Sequence, residues 1–278
     1  MQQKAIGGLS GEIVAGCRGR VASQEGFVAA FMDKLHCPMR YALILGLMSL
    51  VLVSAGFTHP QTAWVWWWTG GSFALVALGY AHTRWGSSVF GKRANGRIAP
   101  LHKVLLFPYL AFTWTVWHLY RLLDRIPATH RIADDLVVGR RLLPHELPGE
   151  FAHYVDLTAE FEEPKNIRDH SSYFSLPVLD ADVPGKLALR AACQRVAVGK
   201  VYVHCAQGHG RTGMFAAALL AERGVVTSAS QALNLLRQQR PGINWNARQR
   251  QFMEEYFQET AAQPQTAPIS VAPQMERN

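Results

Sequence analysis

The chain has 278 residues, a net charge of +8 with histidine neutral, and 49% hydrophobic residues, enough for one sizeable domain and further segments. Its lysines and arginines are dispersed and no aromatic-and-basic motif appears. That argues against a nucleic-acid partner and leaves an anionic membrane surface or an anionic substrate as the counterpart. The four cysteines, Cys17, Cys37, Cys193 and Cys205, show neither C-x-x-C nor paired-histidine spacing. No metal site, cofactor or disulfide framework is expected, and free thiols accord with a reducing compartment.

Residues 1–40 are mixed and mildly basic, and no function is assigned to them. Glycines and charges interrupt the first twenty residues, so no signal-peptide core is expected there. From Tyr41 to Thr83 there is no Asp, Glu, Lys or Arg. The polar "THPQT" at 58–62 divides this stretch into two predicted spans, about 41–57 and 63–82, each near the ~20 residues that cross a bilayer. A third apolar segment, 104–123, contains Pro108 and His118 and is rich in Trp and Tyr. Two readings compete for it, a third span and a helix lying in the interface. The loop before it carries Arg84, Lys92, Arg93, Arg97 and Lys103, while the 58–62 turn carries no cation. Positive-inside reasoning places 84–103 in the cytoplasm. Arg121, Arg125 and Arg131 follow the third segment, and a third span would put them outside. The interfacial reading is therefore preferred. The expectation is an integral membrane protein with its membrane region at 41–123 and a cytoplasmic catalytic domain.

After about Ile126 the pattern becomes that of a soluble α/β domain. Strands are predicted within 134–142, 153–161, 173–180 and 200–205, and helices over 185–198, 211–224, 228–242 and 246–259. The alternation predicts a central, mainly parallel sheet flanked by helices over 126–260. The Ala-, Pro- and Gln-rich tail, 261–278, is predicted to be disordered.

The stretch "VYVHCAQGHGRTGM" (201–214) carries the chemistry. Its strand delivers Cys205 to a sheet end, and Ala206, Gln207, Gly208, His209 and Gly210 turn the chain sharply into a helix beginning near Arg211. Such a loop aims backbone N–H groups inward as an anion nest, and the helix N-terminus adds its dipole. A thiol placed there is stabilised as thiolate. Arg211 offers a planar fork to two phosphate oxygens. Gly208 and Gly210 permit close backbone approach, Gly213 permits helix packing, and Thr212 can hydrogen-bond the sulfur. The constellation reads as a nucleophile in a phosphate cradle.

H-C-x-x-G-x-G-R-T-G resembles the signature loop of the cysteine-dependent protein tyrosine phosphatase superfamily, and the surrounding length is similar to its compact dual-specificity branch. The resemblance covers roughly 126–260 and leaves out the membrane region. It implies that branch's fold and a two-step reaction without metal, in which Cys205 attacks phosphorus and water hydrolyses the phosphocysteine. It implies further that Arg211 stabilises the phosphoryl oxygens, that His204 tunes the thiolate and that Thr212 helps it leave. The general acid of the family is an aspartate on a loop about two dozen residues before the cysteine. Asp180 directly follows the predicted strand and is preferred over Asp182 for this role. His209 could instead contact the phosphate. His170 is assigned to the surface, and Asp156 and Glu160 to the fold. "QQRPGINWNARQRQF" (238–252) is similar to the family's late loop, with Arg240 and Asn244 as candidate supporting groups.

The expected substrate is a phosphorylated protein, phosphotyrosine first. The alternative is a phospholipid of the phosphatidylglycerophosphate type, since the layout resembles compact lipid-phosphate members of the branch. The absence of lysine within 206–210 disfavours polyphosphorylated inositol lipids. A catalytically silent phosphate-binding module is the remaining reading, and the intact Cys, Arg and acid positions disfavour it.

Overall fold

In a computed structural model, residues 37–82, 85–124, 126–146, 151–169 and 172–262 are described. The predicted disordered tail beyond Ala262 lies outside these residues, as do His170, Arg84 and Arg125. The described residues fall within one compact unit.

Three long helices come first: α1 (Cys37–Thr58), α2 (Ala63–Ala81) and α3 (Pro100–Leu123). The break between α1 and α2 falls at the polar stretch the sequence marked. Among the described residues one helix, Pro38–Thr58, is long and apolar enough to cross a membrane by length and composition. α1 and α2 approach closely where small residues permit it. A Cβ on Gly70 would lie 2.6 Å from Val53, and Ser49 Oγ donates to the Gly70 carbonyl at 2.8 Å.

Pro108 sits inside α3. Its ring displaces the carbonyl four residues earlier and its nitrogen has no hydrogen to donate. The Val104 carbonyl accepts instead from Trp68 Nε1 at 3.1 Å, and Tyr109 N donates to Ser72 Oγ at 3.2 Å. α2 thereby takes up polar groups that the proline removes from α3.

The C-terminal part is a five-stranded sheet of order β1-β2-β5-β3-β4. Its strands are β1 (Thr129–Ala133), β2 (Leu136–Arg140), β3 (His153–Thr158), β4 (Tyr173–Val178) and β5 (Val201–Cys205). β1 runs antiparallel to β2, and the β2–β5, β5–β3 and β3–β4 pairs are parallel. The expected mainly parallel sheet with flanking helices is found. The edge strand β1 and the short helix α4 (Lys165–Arg168) were not anticipated, because neither carries a long apolar period.

Helices α5 (Lys186–Arg195), α6 (Gly210–Glu222), α7 (Ala229–Gln239) and α8 (Ala247–Ala262) follow the pattern read from the sequence. They pack on the sheet face that carries Val201, Val203 and Cys205. Tyr202 belongs to a second core on the other face, with Tyr154, Tyr173 and Phe151. A third core joins α1, α2 and α3 to Ala159 and Leu179 at the ends of β3 and β4.

One cation of the loop before α3 is engaged within the protein. Lys92 reaches into the sheet domain, where Nζ lies 2.6 Å from Asp156 Oδ2, and both side chains are fully buried. Asp156 also accepts from Tyr173 Oη at 2.7 Å and from Thr158 N at 2.8 Å. A carboxylate buried this deeply requires such partners, so the ammonium pins the α2–α3 connection to the sheet.

Candidate active site

The carboxyl ends of parallel strands form the crevice where open α/β sheets place their ligands. β5 delivers Cys205 there from the sheet centre, buried at 3% exposure. The chain then turns tightly against β2. Gly208 has φ +73°, and a Cβ on it would lie 2.3 Å from the Gly139 carbonyl oxygen, so only glycine fits. Gly208 N donates to Cys205 Sγ at 3.2 Å. α6 begins at Gly210 with no side chain capping its first turn, which leaves its N-terminus to an anion. Gly213 lets α6 approach Ile243 and Trp245 closely.

Arg211 is buried, and its fork is held from below. Nη1 donates to Glu160 Oε2 at 3.0 Å and to the Val178 carbonyl at 3.0 Å, and Nη2 donates to Glu160 Oε1 at 2.9 Å. Asp180 Oδ1 lies 3.2 Å from Nη2. Burial acts to lower the Arg211 pKa, but the charges of Glu160 and Asp180 outweigh it and hold the group well above its ordinary value. Its Nε is buried without a partner, a donor available to an anion in the loop.

The two aspartates of the loop after β4 part company. Ala181 between them has φ +58° and its carbonyl accepts from Asn246 Nδ2 at 2.7 Å. This turn directs Asp180 to Arg211 and Asp182 to Arg248, 2.9 Å away. Asp180 lines the cavity over Cys205, together with Gln207, His209 and Gly210. Burial and the nearby Arg240 lower the His209 pKa, so its ring is neutral at pH 7.

Two other expected contacts are absent. Thr212 Oγ1 is buried with no hydrogen-bond partner, so the expected bond to the sulfur is not made, and Gly208 N supplies that bond. The His204 side chain stacks on Tyr202 at 5.6 Å, on the sheet face opposite Cys205. Side chains alternate along a strand, so the imidazole reaches the thiol only through the backbone. His204 instead approaches Asp156 and Glu163, with ligand atoms within 4.8 Å of one another. Lys92 and Arg141 already supply the positive charge for those two carboxylates.

Arg240, a candidate supporting group, is buried beneath the loop. Its Nε donates to the Gly208 carbonyl and its Nη2 to the Gln207 carbonyl, both at 2.9 Å. Asn244 stays within its own loop and takes contacts from Arg237 and from Trp245 N. Glu160, assigned to the fold on sequence alone, belongs to the site. A signal for it existed: Glu160 and Asp180 each stand two residues beyond the ends of adjacent parallel strands, β3 and β4. Trp117 of α3 was also missed. Its Nε1 donates to the Ala206 carbonyl at 2.9 Å, and Arg141 lies over its ring at 5.2 Å. No sequence period connects a tryptophan of the third apolar segment to this loop.

Residues 148–253 match the family described as "PTP-SAK: Swiss Army Knife protein, DSP-PTPase phosphatase domain". The matched stretch contains Cys205, Arg211, Glu160 and both loop aspartates. No curated protein matches the chain. Among solved structures, the chain is similar to PTPMT1 in complex with PI(5)P, at 17% identity and TM-score 0.41, over 49% of this chain and 98% of that one. It is similar to human DUSP28 at 20% identity and TM-score 0.41, over 48% and 97%. It is similar to Tk-PTP in the active form at 23% identity and TM-score 0.39, over 48% and 97%.

Proposed function

We propose that this protein is a membrane-anchored phosphatase that hydrolyses phosphomonoesters through a phosphocysteine on Cys205. The observation that carries the reading is Arg211: a buried guanidinium held by Glu160, beside the Cys205 loop, with Nε unpartnered. Cys205 Sγ attacks phosphorus, and the bond to the ester oxygen breaks as Asp180 gives that oxygen its proton. Asp180 then takes a proton from water, whose oxygen attacks the phosphocysteine and releases phosphate and the thiolate. Arg211 and the N–H groups of residues 206–211 hold the equatorial oxygens in both steps. The unpartnered Thr212 hydroxyl can rotate toward the sulfur as it leaves. His204 acts through the strand end and not by direct contact.

α1 and α2 serve as the anchor. The interfacial reading of α3 is supported by contacts near both its ends: Lys103 pairs with Glu162 at 2.8 Å, and Trp117 reaches Ala206. These contacts lay α3 along the phosphatase domain, which keeps the domain on one face of the bilayer, the cytoplasmic one by charge.

The protein-directed reading, with phosphotyrosine as first substrate, and the phospholipid reading share this chemistry. The apolar lining of the cavity favours the second. The test is phosphate release by the purified full chain with chelator present, on a phosphotyrosine peptide, phosphatidate and phosphatidylglycerophosphate. Release that resists chelator and falls at least about a thousandfold in Cys205→Ser is expected. Release unaffected by Cys205→Ser would sink the mechanism.

A further inference from the structure

Above Cys205 and Arg211 stands a cavity of about 510 Å³, within the range of small-molecule sites. Its floor is polar: Cys205, Gln207, His209, Arg211, Glu160 and Asp180. Its walls come from the helical region. α1 contributes Tyr41, Ile44, Leu45 and Met48, and α3 contributes a row from Tyr109 to Trp117. Tyr41 Oη lies 3.4 Å from Asp180 Oδ2, so the first turns of α1 stand directly at the floor.

The walls lead outward. Ile44, Phe112 and Val116 line the cavity and are also 47%, 45% and 47% exposed. Further along the same two helices, Val51 of α1 and Leu119 of α3 are exposed as well. α1 and α3 each pack on α2, so the cavity opens between two helices whose outer faces are apolar. One of them is the helix long and apolar enough to cross a membrane. An apolar passage from a phosphate cradle to an apolar exterior suits a hydrocarbon chain. A peptide in the same passage would bring backbone amides to walls that offer them few partners.

Charge narrows the ligand further. Among the described lining residues, Arg211 is the single lysine or arginine. Glu160, paired with Arg211 in two places, leaves that single guanidinium little surplus charge for a second phosphate. The site accommodates one phosphate.

Accepting the phosphatase reading above, we propose that the substrate is a membrane lipid ending in a single phosphomonoester, with its hydrocarbon tail leaving the site between α1 and α3. A diacylglycerol phosphate and a polyprenyl phosphate share this chemistry.

The test uses the full chain in nanodiscs and a series of soluble alkyl phosphates from ethyl to octyl. kcat/KM is expected to rise about fourfold per buried methylene until the tail has filled the passage, and at least about a hundredfold across the series. Val116→Glu, at the mouth, is expected to flatten that rise. For binding without turnover, Cys205→Ser is titrated with ethyl and octyl phosphate, read by tryptophan fluorescence because Trp117 lines the cavity. Octyl phosphate should bind at least about a hundredfold tighter. Equal affinities, or Cys205-dependent release that is flat with chain length and faster on a phosphotyrosine peptide, would overturn the lipid proposal and leave the phosphatase reading standing. No Cys205-dependent release from any substrate would bring down that reading and the lipid proposal with it. Diacylglycerol phosphate and polyprenyl phosphate in parallel nanodiscs identify the source.

Discussion

Helices α1 and α6 are both apolar in composition, yet the chain uses them in opposite ways. In α6 every residue from Arg211 to Leu220 is buried among the sheet and its neighbouring helices. In α1 Leu47 is 62% and Leu50 65% exposed, while the polar Ser49 is buried against α2. Apolar composition therefore does not report burial within the protein. It reports removal from water, which α6 achieves inside the fold and α1 achieves only if its outer face meets another apolar phase.

The contrast can be broken most strongly where the two regions are joined. Lys92→Met leaves the Asp156 carboxylate buried without its counter-ion. A loss of about 3–5 kcal/mol is expected, read as a lowered thermal midpoint, and adding Asp156→Asn should recover much of it. A double variant no more stable than Lys92→Met would show that the pair is not the joint.

The outer face of α1 gives the next effect. Leu50→Lys should cost about 3–4 kcal/mol of membrane insertion and release the chain from carbonate-washed membranes. Ala217→Lys, at a fully buried position of α6, should unfold the sheet domain. If Leu50→Lys stays in the membrane fraction, α1 is not an anchor.

Within the site, Glu160→Gln removes the charge that grips Arg211 in two places. A drop of about a hundredfold in kcat/KM is expected from the loosened guanidinium. Unchanged kcat/KM would return Glu160 to a purely structural role.

The smallest effect is one of pH. The Arg140 guanidinium beside Glu146 holds that carboxyl down to about 2, from an ordinary 4.5. A depressed carboxylate contributes stability that is present above about 4.5 and lost as pH falls toward 2. Arg140→Gln should therefore lower the unfolding midpoint near neutral pH and converge with the parent below about pH 2. An equal offset at every pH would show that the charge pair contributes nothing.

The strands and helices of the domain were legible because each carries its own period. β5 is continuous Val and Tyr around a buried line, and α6 is a compact Ala/Leu helix closed by Gly224. Edge strand β1 lacked such a period and was missed. The cradle was legible for a related reason: Cys205 and Arg211 lie on one loop-to-helix turn, where six residues of backbone geometry decide what faces the anion. Thr212 and His204 marked the limit of that reading. Both adjoin the loop in sequence, but the first hydroxyl makes no bond and the second ring points to the far face.

By itself the sequence pointed to Cys205 and Arg211 as the proposed nucleophile and phosphate-binding group, and to three apolar segments within 41–123, all properties of neighbours along the chain. Only the tertiary structure decided that Glu160 holds Arg211 across 51 residues, that Asp180 and not Asp182 faces it, and that Trp117 donates to Ala206 across 89. It also decided that α1 and α3 wall the cavity above the thiol. The physical reason is reach. A short motif constrains dihedral angles over a few residues, whereas contacts between distant segments exist only once the sheet has brought strand ends together and buried polar groups have found their partners.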